Sequence, residues 1–67
     1  MQSNPNTKIL RLREVLSRTG LSRSTIYEIV GKGTFPKPIN LAPRAVGWLE
    51  SEIDTWIAER IAASRSK

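Results

Sequence analysis

Leu12 to Gly31 reads Leu-Arg-Glu-Val-Leu-Ser-Arg-Thr-Gly-Leu-Ser-Arg-Ser-Thr-Ile-Tyr-Glu-Ile-Val-Gly, two short apolar-periodic segments on either side of a glycine. In the first, Leu12, Val15 and Leu16 recur at i, i+3 and i+4, the face of a helix predicted over 12–18. Gly20 follows Thr19 where a helix end wants a residue free to take positive φ, and Leu21 can fold back as the apolar partner of that cap. Ser22 precedes Arg23-Ser24-Thr25, its hydroxyl placed to accept from the free N–H groups of a new first turn. A second helix is predicted over 23–31 with Ile26, Ile29 and Val30 inward, and Gly31 and Gly33 around Lys32 supply its stop. Two short helices about a glycine-containing turn outline a helix-turn-helix, whose second helix presents polar side chains to the DNA major groove.

Beyond this unit, Phe35-Pro36-Lys37-Pro38 must be extended, because each proline lacks a donor and restricts its predecessor. Phe35 is expected to pack under the second helix. Ile39-Asn40-Leu41 and Val46-Gly47-Trp48 alternate like strands, with Ala42-Pro43-Arg44-Ala45 as the loop of a two-stranded wing. Leu49, Ile53, Trp56, Ile57 and Ile61 trace one face of a third helix over about 50–63, with Glu50, Glu52 and Asp54 at its positive N-terminus. On the N-terminal side, Ile9-Leu10 either starts a short strand or anchors the lead-in. The expected fold class is mainly α with a small β-hairpin, a winged helix-turn-helix of three helices and a two-stranded wing. It would occupy 9–63, between a flexible arm at 1–8 and a frayed end at 64–67.

A chain of 67 residues holds one small domain with a thin core. It has no Cys and no His, which removes disulfides, the usual zinc-ligand sets and every nucleophile–imidazole pair. Glu50, Glu52 and Asp54 are the only carboxylate cluster and read as helix N-terminal charges, so no catalytic residue, metal, cofactor or small-molecule ligand is expected. Apolar runs are too short for a membrane span, and the polar start reads as no signal peptide, so the expected location is the cytoplasm. Eight of the 11 basic residues but only two of the six acidic ones fall in 1–44. That concentrated excess suits a polyanion partner, against the plainer reading of a solubilising surface.

The segments Thr19-Gly-Leu-Ser-Arg-Ser-Thr-Ile-Tyr, Gly33-Thr-Phe-Pro-Lys-Pro and Gly47-Trp-Leu-Glu-Ser-Glu-Ile-Asp-Thr-Trp-Ile, in this order and spacing, closely resemble the AlpA family of prophage regulators. The resemblance covers roughly residues 8–61. It implies a compact winged helix-turn-helix related to MerR-type and excisionase domains, acting as a transcriptional regulator of mobile-element genes. Glu28 is a departure, at a position often basic in sequences of this kind.

With Ile26 inward at about 100° per residue, Ser24, Glu28 and Gly31 point outward, flanked by Tyr27 and Lys32. Ser24 can donate to a phosphate or base edge, and Tyr27 can reach a phosphate or a thymine methyl. Glu28 either accepts from a cytosine amino group or pairs with Lys32 one turn on. Arg23 and Thr25, in the first turn, suit backbone anchoring, although Thr25 also suits the helix cap. Arg44 at the wing tip and Lys37 before the first strand could hold the flanking backbone or the minor groove, or serve only as loop charges. Arg11, Arg13 and Arg18 on the first helix could contact phosphate too, but half-exposed arginines of this kind are common and they carry no assignment. Trp48 and Trp56 lie on apolar faces and read as core, not as stacking platforms, so losing Trp56 is expected to unfold the domain.

The leading function is therefore sequence-specific double-stranded DNA binding in transcription control. The rivals are an excisionase-type factor that bends DNA and a protein-binding antirepressor that uses the third helix. A single such module buries only about 600–1,000 Å² on DNA, and no heptads are present to dimerise it. Further copies on repeated sites are thus expected partners, with an integrase or RNA polymerase as others.

Overall fold

The computed structural model describes residues 8–66, so the expected arm lies outside the described residues but for Lys8. In chain order the elements are β1 (Ile9–Leu10), α1 (Leu12–Thr19), α2 (Arg23–Gly31), β2 (Ile39–Ala42), β3 (Ala45–Leu49) and α3 (Glu50–Arg65). Three helices and a small antiparallel sheet make a winged helix-turn-helix.

Both helix junctions follow the local chemistry. Gly20 takes φ 73° and its N–H donates to the Leu16 carbonyl at 2.8 Å, which ends α1 abruptly. Ser22 Oγ accepts from the Thr25 backbone N–H at 3.3 Å and starts α2. At the far end of α2 only Gly33 has positive φ, at 76°, and Gly31 is the last helical residue. The N–H groups of Gly33 and Thr34 close the helix by donating to Val30 and Ile29 at 3.1 and 3.0 Å.

The sheet differs from the expected two-stranded wing in having a third strand, with order β1-β3-β2. Ile9 pairs with Leu49 and Leu10 with Trp48, so Ile9-Leu10 is a true strand. Two residues carry no readable period, and only the partner strand makes them a strand. The hairpin is also tighter than expected, because Ala42 pairs with Ala45 and leaves Pro43-Arg44 as the whole turn. No described non-glycine residue has positive φ, so this is not the type I′ turn whose twist matches its strands. The mismatch is taken up by a register shift between Asn40 and Ala42.

Leu10, Val15, Ile26, Phe35, Trp48 and Ile53 form the buried core, drawn from five of the six elements and the proline-rich segment. Phe35 joins it with its ring edge-on to Trp56 of α3, centroids 4.8 Å apart. On α3 only Ile53 is fully buried, Trp56 and Ile57 pack partly against the core, and Ile61 is exposed. The helix runs two residues past the expected end at 63.

Gly47 allows the sheet to close. A Cβ there would overlap Ile9 Cγ2 and meet the Leu10 carbonyl oxygen at 3.0 Å and Leu41 Cδ1 at 3.1 Å. Leu10 belongs to a strand already paired to β3 and cannot retreat freely. Gly47→Ala is expected to cost about 1–3 kcal/mol through overpacking, read as a lower urea midpoint. An unchanged midpoint would mean that β1 yields without loss.

Candidate nucleic-acid interface

Ser24, Tyr27, Glu28, Gly31 and Lys32 are all exposed along α2, the face expected from its periodicity. Arg23 and Tyr27 lie one turn apart and form one edge of that face. Thr25 is half-buried, and its Oγ1 accepts from Ser22 Oγ at 3.0 Å, so its hydroxyl supports the helix start. Ser24 Oγ also lies 3.4 Å from Ser22 Oγ. Glu28 Oε2 pairs with Lys32 Nζ at 3.2 Å, both side chains being about two-thirds exposed. Such a pair contributes only about 0.3–0.5 kcal/mol, so either partner can turn to another group at little cost.

The fold gathers charges that are scattered in sequence. Arg11 and Arg13 from the start of α1, Arg23 and Tyr27 from α2, and Arg44 from the hairpin turn line one open concavity of about 600 Å³. Glu14 is the one carboxylate on its wall, and it already accepts from the Arg11 backbone N–H at 3.0 Å. Of the residues singled out from sequence, Arg23, Tyr27 and Arg44 meet here, with Ser24 and Glu28 on the adjoining outward face of α2. Lys37 does not join them: it is exposed before β2 and is not among the residues lining the concavity, whereas Arg44 lies in the turn after β2. Lys37 and Arg44 therefore occupy opposite ends of the wing.

The sequence leaves Arg11 and Arg13 as half-exposed arginines within possible reach of phosphate, without an assignment. They sit two apart at a helix start, a spacing that puts no pair on one helical face, and it is the packing of α1 against α2 and β3 that brings them beside Arg23 and Arg44. Arg18 belongs elsewhere. Its guanidinium donates to Glu50 Oε2 at 2.6 Å and Asp54 Oδ1 at 3.1 Å, joining α1 to the start of α3. The hydrogen bond to Glu50, with the charges of Glu50 and Asp54, raises its pKa above the usual guanidinium value against some desolvation. Arg18→Ala is therefore expected to leave the salt dependence of polyanion binding unchanged. A lower slope on salt titration would place Arg18 on the ligand.

Both indoles are held by the fold. Trp48 is fully buried and its Nε1 donates to the Pro36 carbonyl at 2.9 Å. Trp56 Nε1 donates to the Thr34 carbonyl at 2.7 Å, and the Arg60 guanidinium lies 5.9 Å from its ring centroid. Among the described residues no helix is long and apolar enough to cross a membrane, and no group of three or more His, Cys, Asp or Glu side chains could hold a metal ion.

The sequence profile of the family described as Prophage CP4-57 regulatory protein (AlpA) matches residues 8–61. An uncharacterized protein, ORF88, of Enterobacteria phage P4 is 48% identical over 58 residues, covering 87% of this chain and 66% of the phage protein. The DNA-binding transcriptional activator AlpA of Escherichia coli K12 is 39% identical over 66 residues, covering 90% of this chain and 94% of that protein.

Proposed function

Because the chain belongs to the AlpA family of prophage regulatory proteins, we propose that it is a sequence-specific double-stranded DNA-binding regulator of prophage or mobile-element transcription. The observation that carries this reading is the convergence of four arginines on one concavity between the exposed face of α2 and the wing. With α2 in the major groove, Ser24, Tyr27 and Glu28 reach base edges and nearby phosphates, while Arg23 and Arg44 hold the backbone on either side. Glu28 leaves its weak pair with Lys32 to accept from a cytosine amino group, and Lys32 is freed toward a phosphate. Thr25 supports this surface from the helix cap, and Lys37 meets the flanking backbone apart from the concavity. The protein acts in the cytoplasm, with further copies on repeated sites and with an integrase or RNA polymerase as protein partners.

Selection from a random duplex library at near-physiological salt, followed by sequencing of the retained pool, tests this. An enriched motif with a site overlapping a promoter is the expected result. Retention without enrichment, or clustered sites with DNA bending, would favour an excisionase-type architectural role. No retention at all would overturn the reading and turn attention to a protein partner for α3.

A further inference from the structure

We infer that the concavity between α1, α2 and the wing seats one phosphodiester of the DNA backbone, and that Arg11 is its positioning residue, fastening the wing to α1 while presenting the rest of its guanidinium to the phosphate. The inference rests on the DNA-binding reading and adds to it a defined seat and a residue that sequence reasoning left unassigned.

Arg11 stands immediately before α1. Its Nε donates to the backbone carbonyl of Val46, 35 residues away, at 3.0 Å. Val46 lies on β3 opposite Asn40 of β2, next to Ala45, which closes the turn carrying Arg44. One side-chain bond thus joins the start of the helix-turn-helix to the strand that carries the wing tip. The guanidinium is a planar fork of five N–H donors, and this bond uses one of them. The other four belong to the two Nη atoms of a side chain that lines the concavity with Arg13, Arg23 and Arg44.

Four guanidiniums around one concavity repel one another, and an anion relieves that repulsion. The fork geometry matches the paired oxygens of a phosphate. The concavity is open to solvent, so a sugar-phosphate unit of a longer strand can enter it from that side. Because Arg11 touches both partners, occupation of the seat and the angle of the wing are coupled. Lysine at this position keeps the charge, but its single ammonium nitrogen cannot give one donor to Val46 and a separate parallel pair to a phosphate.

The test uses the full chain and a duplex carrying its selected site, with fluorescence anisotropy over a salt titration and hydroxyl-radical footprinting. Arg11→Lys is expected to bind about tenfold more weakly with an unchanged salt slope, and to lose backbone protection on the wing side only. Arg11→Gln is expected to lower the slope by about one as well. Wild-type affinity and footprint in Arg11→Lys would overturn the inference while leaving the DNA-binding reading intact. So would an Arg11→Gln protein that melts earlier yet keeps its wing-side protection, because the role would then be structural alone. Failure of the wild-type chain to bind any duplex would overturn both. A titration with inorganic phosphate, followed by NMR at the Arg11 Nε–H, distinguishes a free-anion site. Saturation that duplex DNA does not displace would overturn the seat as a backbone site.

Discussion

Trp48→Ala is expected to lower the urea midpoint far below that of wild type. Trp48 is fully buried in β3, faces Leu10 of β1 in register and donates its Nε1 to the Pro36 carbonyl at 2.9 Å. Truncating a buried Trp to Ala costs about 3–5 kcal/mol through lost burial and the cavity left behind. The freed Pro36 carbonyl adds a partner to be replaced by water. A domain of this size has a total stability of only about 3–10 kcal/mol, so one substitution removes a large share of it and, at the low end of that range, all of it. Far-UV circular dichroism and a urea melt would read the loss, and a cooperative melt with a midpoint near that of wild type would refute the placement of Trp48 at the centre of the core. Trp56→Ala is expected to cost less. The sequence alone makes its loss an unfolding event too, but Trp56 is only partly buried, at the margin beside Phe35 and Arg60. The heavier penalty therefore moves to Trp48.

The second large effect is on binding. Arg23→Ala and Arg44→Ala are each expected to weaken binding to all duplex sequences and to lower the salt slope by about one. Combined, they should lower the slope by about two and the affinity by a hundredfold or more, since each removes a charge-assisted contact of roughly 1.5–3 kcal/mol. The two residues sit on different elements, α2 and the hairpin turn, and both are exposed, so the fold should tolerate the changes. Sequence preference among the duplexes still bound should persist, because phosphate contacts carry little base information. A slope unchanged in the double variant would put both arginines off the DNA and leave the concavity without a polyanion.

The helix-turn-helix was legible because its signals are local. Gly20, Ser22 and the i, i+3, i+4 spacing of Leu12-Val15-Leu16 and Ile26-Ile29-Val30 each act within a turn or two of chain, where backbone hydrogen bonding and φ preference decide the outcome. The same locality made Ser24, Tyr27, Glu28 and Lys32 readable as one exposed face, and showed Glu28 and Lys32 within reach of each other. The edges of the sheet were less legible. Ala42 and Ala45 become paired residues, and Ile9-Leu10 a third strand, only because β3 supplies partners to both sides.

The arginines mark the same boundary within the interface. Arg11, Arg13 and Arg18 look alike along the chain, each a basic residue at or near α1 with no assigned duty. Tertiary structure separates them, setting Arg11 and Arg13 beside Arg23 and Arg44 and turning Arg18 to Glu50 and Asp54. It also places Lys37 away from Arg44, although both belong to the same small wing. By itself the sequence determined the three helices, the caps at the turn between α1 and α2, the hairpin and the exposed face of α2, since these follow from periodicity and backbone chemistry over a few residues. Which charges share a surface, and which indole anchors the core, depended on contacts between residues as far apart as Arg11 and Val46. Those contacts form only when burial of the apolar core brings the elements together, and no local pattern encodes them.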